Sequence, residues 1–332
     1  MTGVSEPDCL RIGSLPDRIA INGLLNTVPP RLVEEVIAET CAGEQRTRQM
    51  PAWLTMYFTL ALWLWPDANY STVLSRLLAG MAWAGHDSGR TTAPVASSVA
   101  RARDRLGPDP LRILFHRLIP STHTPAASDG CWRGLPLRSL DNTVITAPGR
   151  CGFPAARIEA LADGDGVLTA AAWAPTTVHA DDLFTRLFRP LFRAHAAHIL
   201  ILANGLPTGQ WSALRGSGVH LVTQAPSDIT EVQESLSDGS HLTHVHAMPV
   251  RIIHSTGDGG KLATTLTDPT AAPAAELARV YAERWQGGAL TEQVTGHAMV
   301  AFRSQSAYGI DQEIWALLCL YQALARPARR NW

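Results

Sequence analysis

The stretch Leu277-Ala278-Arg279-Val280-Tyr281-Ala282-Glu283-Arg284-Trp285-Gln286 has the pattern of an amphipathic helix. Leu277, Val280, Tyr281 and Arg284 follow one another at spacings of i, i+3, i+4 and i+7, so they share one face. Prolines precede the stretch and two glycines follow it, which predicts a helix boundary on each side. Periodicity alone fits an ordinary helix whose aromatic residues pack inside and whose arginine pairs with a nearby carboxylate.

The order Tyr281-Ala282-Glu283-Arg284-Trp285 resembles the Tyr-x-x-Arg-Trp signature of bacterial DDE transposases of the insertion element 4 family. The resemblance implies a ribonuclease-H-like domain, in which this helix carries the glutamate of a metal-binding acidic triad seven residues after its tyrosine. Gly288 occupies that position in this chain. The resemblance therefore places Tyr281 and Arg284 in the catalytic site and leaves the third acidic ligand replaced by glycine.

Two further segments resemble the family's motifs for the first and second acidic ligands. The sequence Leu140-Asp141-Asn142-Thr143 lies in an alternating stretch and resembles the Asp-Gly-Thr motif, so Asp141 is the expected first ligand and the expected metal ligand. A lone carboxylate in an apolar strand is costly unless it is paired or meets a metal. An edge strand that turns Asp141 toward water is the alternative. After a buried strand, Leu202-Ala203-Asn204-Gly205-Leu206 places Asn204 where the family has aspartate.

The cofactor that the resemblance implies is Mg²⁺ or Mn²⁺, used in pairs to clamp the attacking and leaving oxygens of a phosphoryl transfer. These hard cations prefer carboxylate oxygens, so one acid in place of three predicts weak or absent metal binding. Glu292, eleven residues after Tyr281, substitutes for the missing glutamate only if the helix continues through Gly287-Gly288. Each of those glycines costs about 1 kcal/mol of helix stability. The activity is therefore either that of a DDE transposase or lost.

The first 120 residues show no strand alternation, which predicts an all-helical domain. A helix that ends at Gly107-Pro108 presents several arginines, and arginines on a helix suit phosphate and guanine contacts. A solvated basic face has the same pattern. The region also resembles the N-terminal domain of the transposase family, which implies DNA as the partner. The arginines predicted to contact DNA are Arg46, Arg48, Arg101, Arg103 and Arg105.

After a polar stretch the pattern changes to strands followed by helices, which predicts an α/β class with a mixed sheet. The segment His198–Ala203 is continuously apolar, as is typical of a strand buried between helices. The predicted plan is a lead-in over 1–16, a helical N-terminal domain over 17–120, a linker over 121–133, and a ribonuclease-H-like domain over 134–332 with a β-rich insertion at about 206–270.

Composition excludes several classes of protein. The net charge is −1 and the pI about 6.9, so any DNA binding must rely on local patches rather than a global field. The five cysteines are scattered and fit reduced thiols better than a disulfide framework. The apolar run 53–65 is too short for a bilayer crossing, and no signal pattern is present. We expect a cytoplasmic protein without a membrane partner, and a homodimer is possible.

Two alternatives to catalysis stay open at this point. His241, His244, His246 and His254 cluster in one polar stretch, and His244-x-His246 on a strand would face one side, as a zinc site requires. Surface histidines in a variable insertion are the simpler explanation, because no cysteine or glutamate partner has metal-site spacing. The other alternative is a non-catalytic DNA-binding protein, or domesticated transposase derivative, that keeps the helical domain.

Overall fold

We describe the protein from a computed structural model. The structure describes residues 14–43, 48–86, 96–120, 130–164, 166–179, 183–188, 198–211, 214, 217–227, 229, 232–254, 260–284 and 301–325. The chain divides into two compact units. Unit 1 comprises Met1–Pro120, Thr146–Pro154 and Val294–Trp332, and unit 2 comprises Ser121–Ile145 and Ala155–Gln293.

The helices of the described residues are α1 (Leu15–Thr27), α2 (Pro30–Glu39), α3 (Ala52–Leu64), α4 (Tyr70–Trp83), α5 (Ala96–Leu106), α6 (Asp109–Leu118), α7 (Thr208–Trp211), α8 (Ala274–Arg284) and α9 (Ala307–Ala325). Residues 183–188 are also helical. The strands are β1 (Cys131–Trp132), β2 (Leu135–Thr146), β3 (Ala155–Ala162), β4 (Leu168–Pro175), β5 (Ile199–Ala203), β6 (Val219–Gln224), β7 (Glu234–Ser235), β8 (His241–Val245), β9 (Met248–His254) and β10 (Lys261–Thr264).

Unit 1 contains helices α1 to α6 together with the C-terminal helix α9. Helix α3 is the most deeply buried of them, with every residue from Leu54 to Trp63 inside. Asn69 begins α4 as a cap, because its side-chain oxygen accepts a hydrogen bond from the backbone N–H of Thr72 at 2.9 Å. Gly107 ends α5 with a φ of +70°, a backbone conformation that favours glycine. The predicted all-helical region is confirmed.

Helix α9 packs against α3 and α6, which groups it with the N-terminal helices rather than with the sheet. Its buried residues extend around most of its surface, so it can act as a central helix of a bundle. The indole N–H of Trp63 donates to the carbonyl oxygen of Glu313 at 2.7 Å, which fixes α3 against α9. This grouping differs from the predicted plan, which assigned all residues after 134 to the sheet domain.

Unit 2 is built on a mixed sheet, in which the described strands run in the order β4-β3-β2-β5-β6-β10-β9-β8-β7 and β1 pairs with β2. Strands β2, β5 and β6 are parallel, and the β3–β4, β6–β10, β10–β9, β9–β8 and β8–β7 pairs are antiparallel. A helical N-terminal region followed by a mixed sheet of ten strands confirms the predicted α/β class and is consistent with a ribonuclease-H-like domain.

The two faces of the sheet carry separate hydrophobic cores. One core contains Leu200 and Leu202 of β5 together with Leu277 and Tyr281 of α8, so the signature helix covers this face. The other core contains Ile199, Ile201 and Ala203 of β5, as the two-residue period of a strand requires. All five residues of β5 are buried, which confirms the prediction of a strand covered on both sides.

Candidate functional site

The register between β2 and β5 brings the first two motif positions together. Leu140 of β2 pairs with Ala203 of β5 in the parallel ladder. Asp141 and Asn204 each follow directly after this pair, so the register places them side by side where β5 ends. Asp141 is half-buried and Asn204 is exposed. Gly205, with a φ of +64°, then turns the chain away from the sheet.

Asp141 lies on the sheet face that α8 covers. Leu137 belongs to the core beneath α8 and Leu140 to the core on the opposite face. Because side chains alternate along a strand, Asp141 shares the face of Leu137. Thr143, two residues further along this face, is buried, and its hydroxyl has no hydrogen-bond partner among the described residues.

The signature helix is fastened to the end of β5 by Tyr281. Its hydroxyl donates a hydrogen bond to the carbonyl oxygen of Ala203 at 3.2 Å, directly before Asn204. Burial raises the pKa of Tyr281 to about 12, so the phenol keeps its proton and remains a donor at neutral pH. The tyrosine of the motif therefore orients the helix relative to the Asp141–Asn204 pair.

The third motif position cannot be placed in the same way. Helix α8 ends at Arg284, whose side chain lies outside the described residues. Gly288 and Glu292 lie outside them as well, in the stretch 285–300. The structure thus brings together Asp141, Asn204 and Tyr281, and the assignments of Arg284, Gly288 and Glu292 stay predictions.

A groove opens beside this pair, at the edge of the sheet where β5 and β6 end. It is lined by Gly205, Leu206, Pro207, Thr208, Gln224, Ala225 and Pro226. Leu206 packs into the core on the face opposite α8. The groove therefore leads from Asn204 over the edge of the sheet toward that opposite face.

The donor set of this site does not fit the metal pair of the transposase reaction. One carboxylate, Asp141, and one amide, Asn204, are the motif donors that the structure describes. In the described part of the chain there is also no group of three His, Cys, Asp or Glu residues that could hold a metal ion. A two-metal clamp needs several carboxylates to balance four positive charges, and this pair provides one.

Arg103 was predicted to contact DNA, but it is buried in the structure. Its guanidinium donates to the Glu313 carboxylate at 3.1 Å, to the Tyr70 hydroxyl at 2.9 Å and to the carbonyl oxygen of Gly309 at 3.1 Å. Gln312 accepts a further bond from its Nε at 3.2 Å. Arg103 connects α5 to α4 and α9, so we leave it out of the proposed DNA-binding surface.

The other predicted arginines divide into exposed and undescribed residues. Arg101 and Arg105 are exposed on α5, and Arg105 donates to the carbonyl oxygens of Arg101 at 3.1 Å and Met50 at 3.4 Å. Arg48 is exposed in the segment before α3, and Arg46 lies outside the described residues. Arg48, Arg101 and Arg105 are therefore the exposed members of the predicted set.

The predicted histidine cluster does not converge on a common point. His241 and His254 lie on adjacent strands with ring centroids 5.7 Å apart. His244 contacts the side chain of Gln233 at 2.5 Å, and His246 approaches the Thr208 hydroxyl at 3.4 Å. His246 follows the end of β8 in a turn with a φ of +47°, so the expected pair of histidines on one strand face does not form.

Comparison with known proteins identifies the helical region. Residues 18–116 match the family model described as the insertion element 4 transposase N-terminal domain. The chain carries an insertion element 4 transposase N-terminal domain. The match covers α2 to α5 and most of α1 and α6, and it confirms the resemblance of the helical region to the N-terminal domain of this transposase family. No curated protein matches the chain.

Among the described residues, no helix combines the length and the apolar character that a bilayer span requires.

Sequence reasoning missed a buried charge network that holds the start of the signature helix. Arg251 of β9 is fully buried; its guanidinium binds the Asp238 carboxylate and donates to the Ala272 carbonyl oxygen at 2.6 Å. The same carboxylate accepts a hydrogen bond from the backbone N–H of Ala274, the first residue of α8, at 3.3 Å. Nothing in the local sequence distinguishes Arg251 from an exposed strand arginine.

Proposed function

We propose that this chain is a transposase-like protein that binds DNA element ends and has lost most or all of its strand cleavage and transfer activity. The observation that carries the proposal is the β2–β5 register, which sets Asp141 beside Asn204 on the approach to the signature helix. The position of the site supports a transposase ancestry. The neutral amide in place of a carboxylate supports the loss of catalysis.

The small negative charge of the site supports an impaired enzyme rather than an active one. Three carboxylates would offset most of the charge of two divalent cations, whereas Asp141 alone offsets a quarter of it. The Asn204 carbonyl oxygen can still ligate a cation, but it brings no charge. In addition, one acid leaves fewer oxygens to fix the octahedral geometry that Mg²⁺ demands. We therefore expect Mg²⁺ or Mn²⁺ to bind weakly.

DNA is the proposed partner, and the helical domain is its proposed site. The family model covers this domain, and Arg101 and Arg105 are exposed on one of its helices. Because the chain as a whole has a net charge of −1, binding should depend on such local groups and fall steeply with salt. A cytoplasmic location and a possible homodimer complete this proposal.

The test combines DNA binding with cleavage on one set of substrates. Gel shifts at low and moderate salt would use the DNA that flanks the coding sequence and an unrelated duplex of the same length. A nicking assay with Mn²⁺ would use the same DNA, with Asp141→Ala as the site variant. Asn142→Ala is the matched control, because Asn142 is adjacent in the chain but exposed on the opposite face of β2.

Preferential binding of the flanking DNA without cleavage is the expected result. Robust nicking that Asp141→Ala abolishes and Asn142→Ala leaves intact would overturn the claim of lost catalysis. Failure to bind the flanking DNA in preference to the unrelated duplex would overturn the proposed role in binding element ends.

A further inference from the structure

Lysine is nearly absent from this chain: Lys261 is its single lysine, whereas all its other strong cations are arginines. Lys261 is exposed and begins β10, and it lies opposite His254, the last residue of β9, in the antiparallel ladder. His241, the first residue of β8, lies opposite Ile252, two residues before His254. Directly opposed residues share a face, so the three basic side chains lie on one side of the sheet.

The basic cluster of His241, His254 and Lys261 has no acidic partner among the residues that the structure describes. The two imidazole centroids are 5.7 Å apart. Burial lowers the pKa of His241, and the positive charges of His254 and Lys261 lower it further. On the neighbouring strand β7, the uncharged Ser235 lies opposite His241, whereas Glu234 lies opposite Leu242 and so faces the other side.

No carboxylate of the described residues forms an ion pair with any of these three side chains. The segment 255–259, which connects His254 to the residue before Lys261, lies outside the described residues. Like charges that lie close together repel one another, and a bound anion reduces that repulsion. The cluster thus has the electrostatics of an anion site.

The cluster lies at the same edge of the sheet as the Asp141–Asn204 pair. Strands β5 and β6 are parallel and end there, at Ala203 and Gln224. Leu262 pairs with Gln224, so β10 begins at that edge and β9 ends at it. From β5 to β9 there are three strand spacings, or about 14 Å.

The groove beyond Asn204 adjoins both places, because Gly205 follows Asn204 and the backbone N–H of Ala225 donates to the carbonyl oxygen of Lys261 at 2.8 Å. It runs past Leu206 and Gln224 at the edge of the sheet. Leu206 belongs to the same core as Ile252 and Ala263, the face that bears the basic cluster. A strand that leaves the Asp141–Asn204 pair over the groove therefore arrives at Lys261 and the two histidines.

We propose that His241, His254 and Lys261 bind a backbone phosphate of the DNA strand that passes through the groove beyond Asn204. This inference rests on the proposed function, because it requires that the chain bind DNA. The β-rich part of unit 2 would then contact the DNA on one side of the Asp141–Asn204 pair. Such a phosphate contact positions the DNA and does not depend on its base sequence.

The single lysine makes a direct footprint possible. The full chain would be acetylated briefly with an amine reagent, alone, with flanking duplex, or with inorganic phosphate at the same phosphate concentration. Mass spectrometry of the peptide that contains Lys261 then reports its modification. We expect the duplex to protect Lys261, inorganic phosphate to protect it much less, and 1 M salt, with its Debye length of about 3 Å, to abolish the protection. Equal protection by inorganic phosphate would assign the cluster to a free anion and overturn the DNA contact.

Variants then measure the contribution of the cluster to affinity. Fluorescence anisotropy of a labelled duplex would compare wild type, Lys261→Gln, Lys261→Arg and the double variant His241→Gln/His254→Gln. The matched control is His198→Gln/His220→Gln, a second neighbouring histidine pair that lies at the opposite edge, where β5 and β6 begin. Measurements at about pH 5.5 keep imidazoles of ordinary pKa mostly protonated.

We expect Lys261→Gln to weaken binding several-fold and to reduce the slope of log K against log salt by about 0.9, the value for one phosphate contact. Lys261→Arg should retain the affinity, and the control pair should behave as wild type. A wild type that binds DNA, with Lys261→Gln and His241→Gln/His254→Gln equal to it, would refute this inference and leave the proposed function standing. A wild type that binds no DNA would refute both.

Discussion

The hydroxyl of Tyr281 donates a hydrogen bond to the carbonyl oxygen of Ala203 at 3.2 Å, so the signature helix is attached one residue before the second motif position. Ala203 in turn pairs with Leu140, one residue before the first motif position. The three motif segments thus adjoin one residue, Ala203, at the end of β5. If the acidic ligands have been replaced as proposed, this arrangement would still keep the three segments together.

Replacing Tyr281 by phenylalanine removes this bond without changing the shape of the side chain. We expect the free energy of unfolding to fall by about 0.5–1.5 kcal/mol, and by more if the carbonyl stays buried without a partner. Hydrogen exchange should accelerate in peptides that cover 199–206. Tyr57→Phe is the matched control, because the Tyr57 hydroxyl donates to the carbonyl oxygen of Val28 at 2.6 Å in unit 1. If both variants leave exchange at 199–206 unchanged, Tyr281 does not hold the end of β5.

The raised pKa of Tyr281 also predicts a dependence on alkaline pH. Because the folded state keeps the proton more tightly, the stability is fully present below the unfolded pKa of about 10. It is lost as the pH rises through the folded pKa of about 12. Tyr281→Phe should reduce this alkaline loss, which denaturant titrations between neutral and alkaline pH would measure.

The sequence predicts where the helices and strands of this fold lie better than it predicts which of them pair or pack together. The spacing of Leu277, Val280 and Tyr281 predicted α8, and the apolar run before Asn204 predicted β5, because both signals are local. The pairing of Leu140 with Ala203 depends on residues 63 positions apart, and only the family resemblance suggested that Asp141 and Asn204 meet. The grouping of α9 with the N-terminal helices has no local signal at all.

The burial and the partners of charged residues are what the sequence predicts least well. Arg101, Arg103 and Arg105 look alike in the sequence, yet two are exposed and the third is buried. The burial of Arg103 depends on Glu313, which lies 210 residues later. Likewise, proximity in the chain suggests that His241, His244, His246 and His254 form one group. The register of β8 and β9 instead places His241 near His254 and away from His244.

The contrast between Arg101 and Arg103 can be measured directly. Arg103→Met leaves Glu313 buried without its cation, and we expect a loss of about 3–5 kcal/mol in the free energy of unfolding. Arg101→Ala should change stability by less than about 0.5 kcal/mol but weaken DNA binding and reduce its salt dependence. Denaturant unfolding and gel shifts on the same samples separate the two effects. If Arg103→Met folds normally and loses only DNA affinity, Arg103 is a DNA contact after all.

Substitution of both partners tests whether the Arg103–Glu313 pair is an isolated unit. In Arg103→Met/Glu313→Gln we expect only partial recovery of stability. The Glu313 carboxylate also accepts hydrogen bonds from the backbone N–H groups of Arg303 at 2.9 Å and Ser304 at 3.1 Å, and an amide satisfies these less well. Full recovery would show that those two bonds contribute little.

Asp238 predicts a dependence on acid pH. Partial burial raises the pKa of its carboxyl, but hydrogen bonds from Ser240, the charge of Arg251 and the backbone N–H of Ala274 outweigh it, and the net shift is downward. A lowered pKa contributes stability that is present above the unfolded pKa of about 3.9 and lost as the pH falls through the folded pKa. Asp238→Asn should cost about 2 kcal/mol at neutral pH and converge with wild type in acid.

Glu276→Gln provides the control for Asp238. Glu276 also lies near the start of α8 and pairs with Arg133 at 2.8 Å, but both side chains are exposed. Its removal should therefore have little effect on stability. Thermal melts from pH 3 to pH 7 would compare the two variants with wild type. If the melting temperature of Asp238→Asn lies below that of wild type by the same amount across this range, the ionised carboxylate of Asp238 does not stabilise the start of α8.

Restoring the second acid should strengthen metal binding at the Asp141–Asn204 pair. Asn204→Asp places a second carboxylate beside Asp141, so we expect a larger rise in melting temperature with Mn²⁺ than wild type shows. Without metal the variant should be slightly less stable, because two neighbouring carboxylates repel each other. Asn142→Asp makes the same change in charge next to Asp141 in the chain, but on the opposite face of β2, and should leave the response to Mn²⁺ as in wild type. Equal Mn²⁺ responses from the two variants would mean that net charge alone attracts the cation and that Asp141 and Asn204 do not form one site.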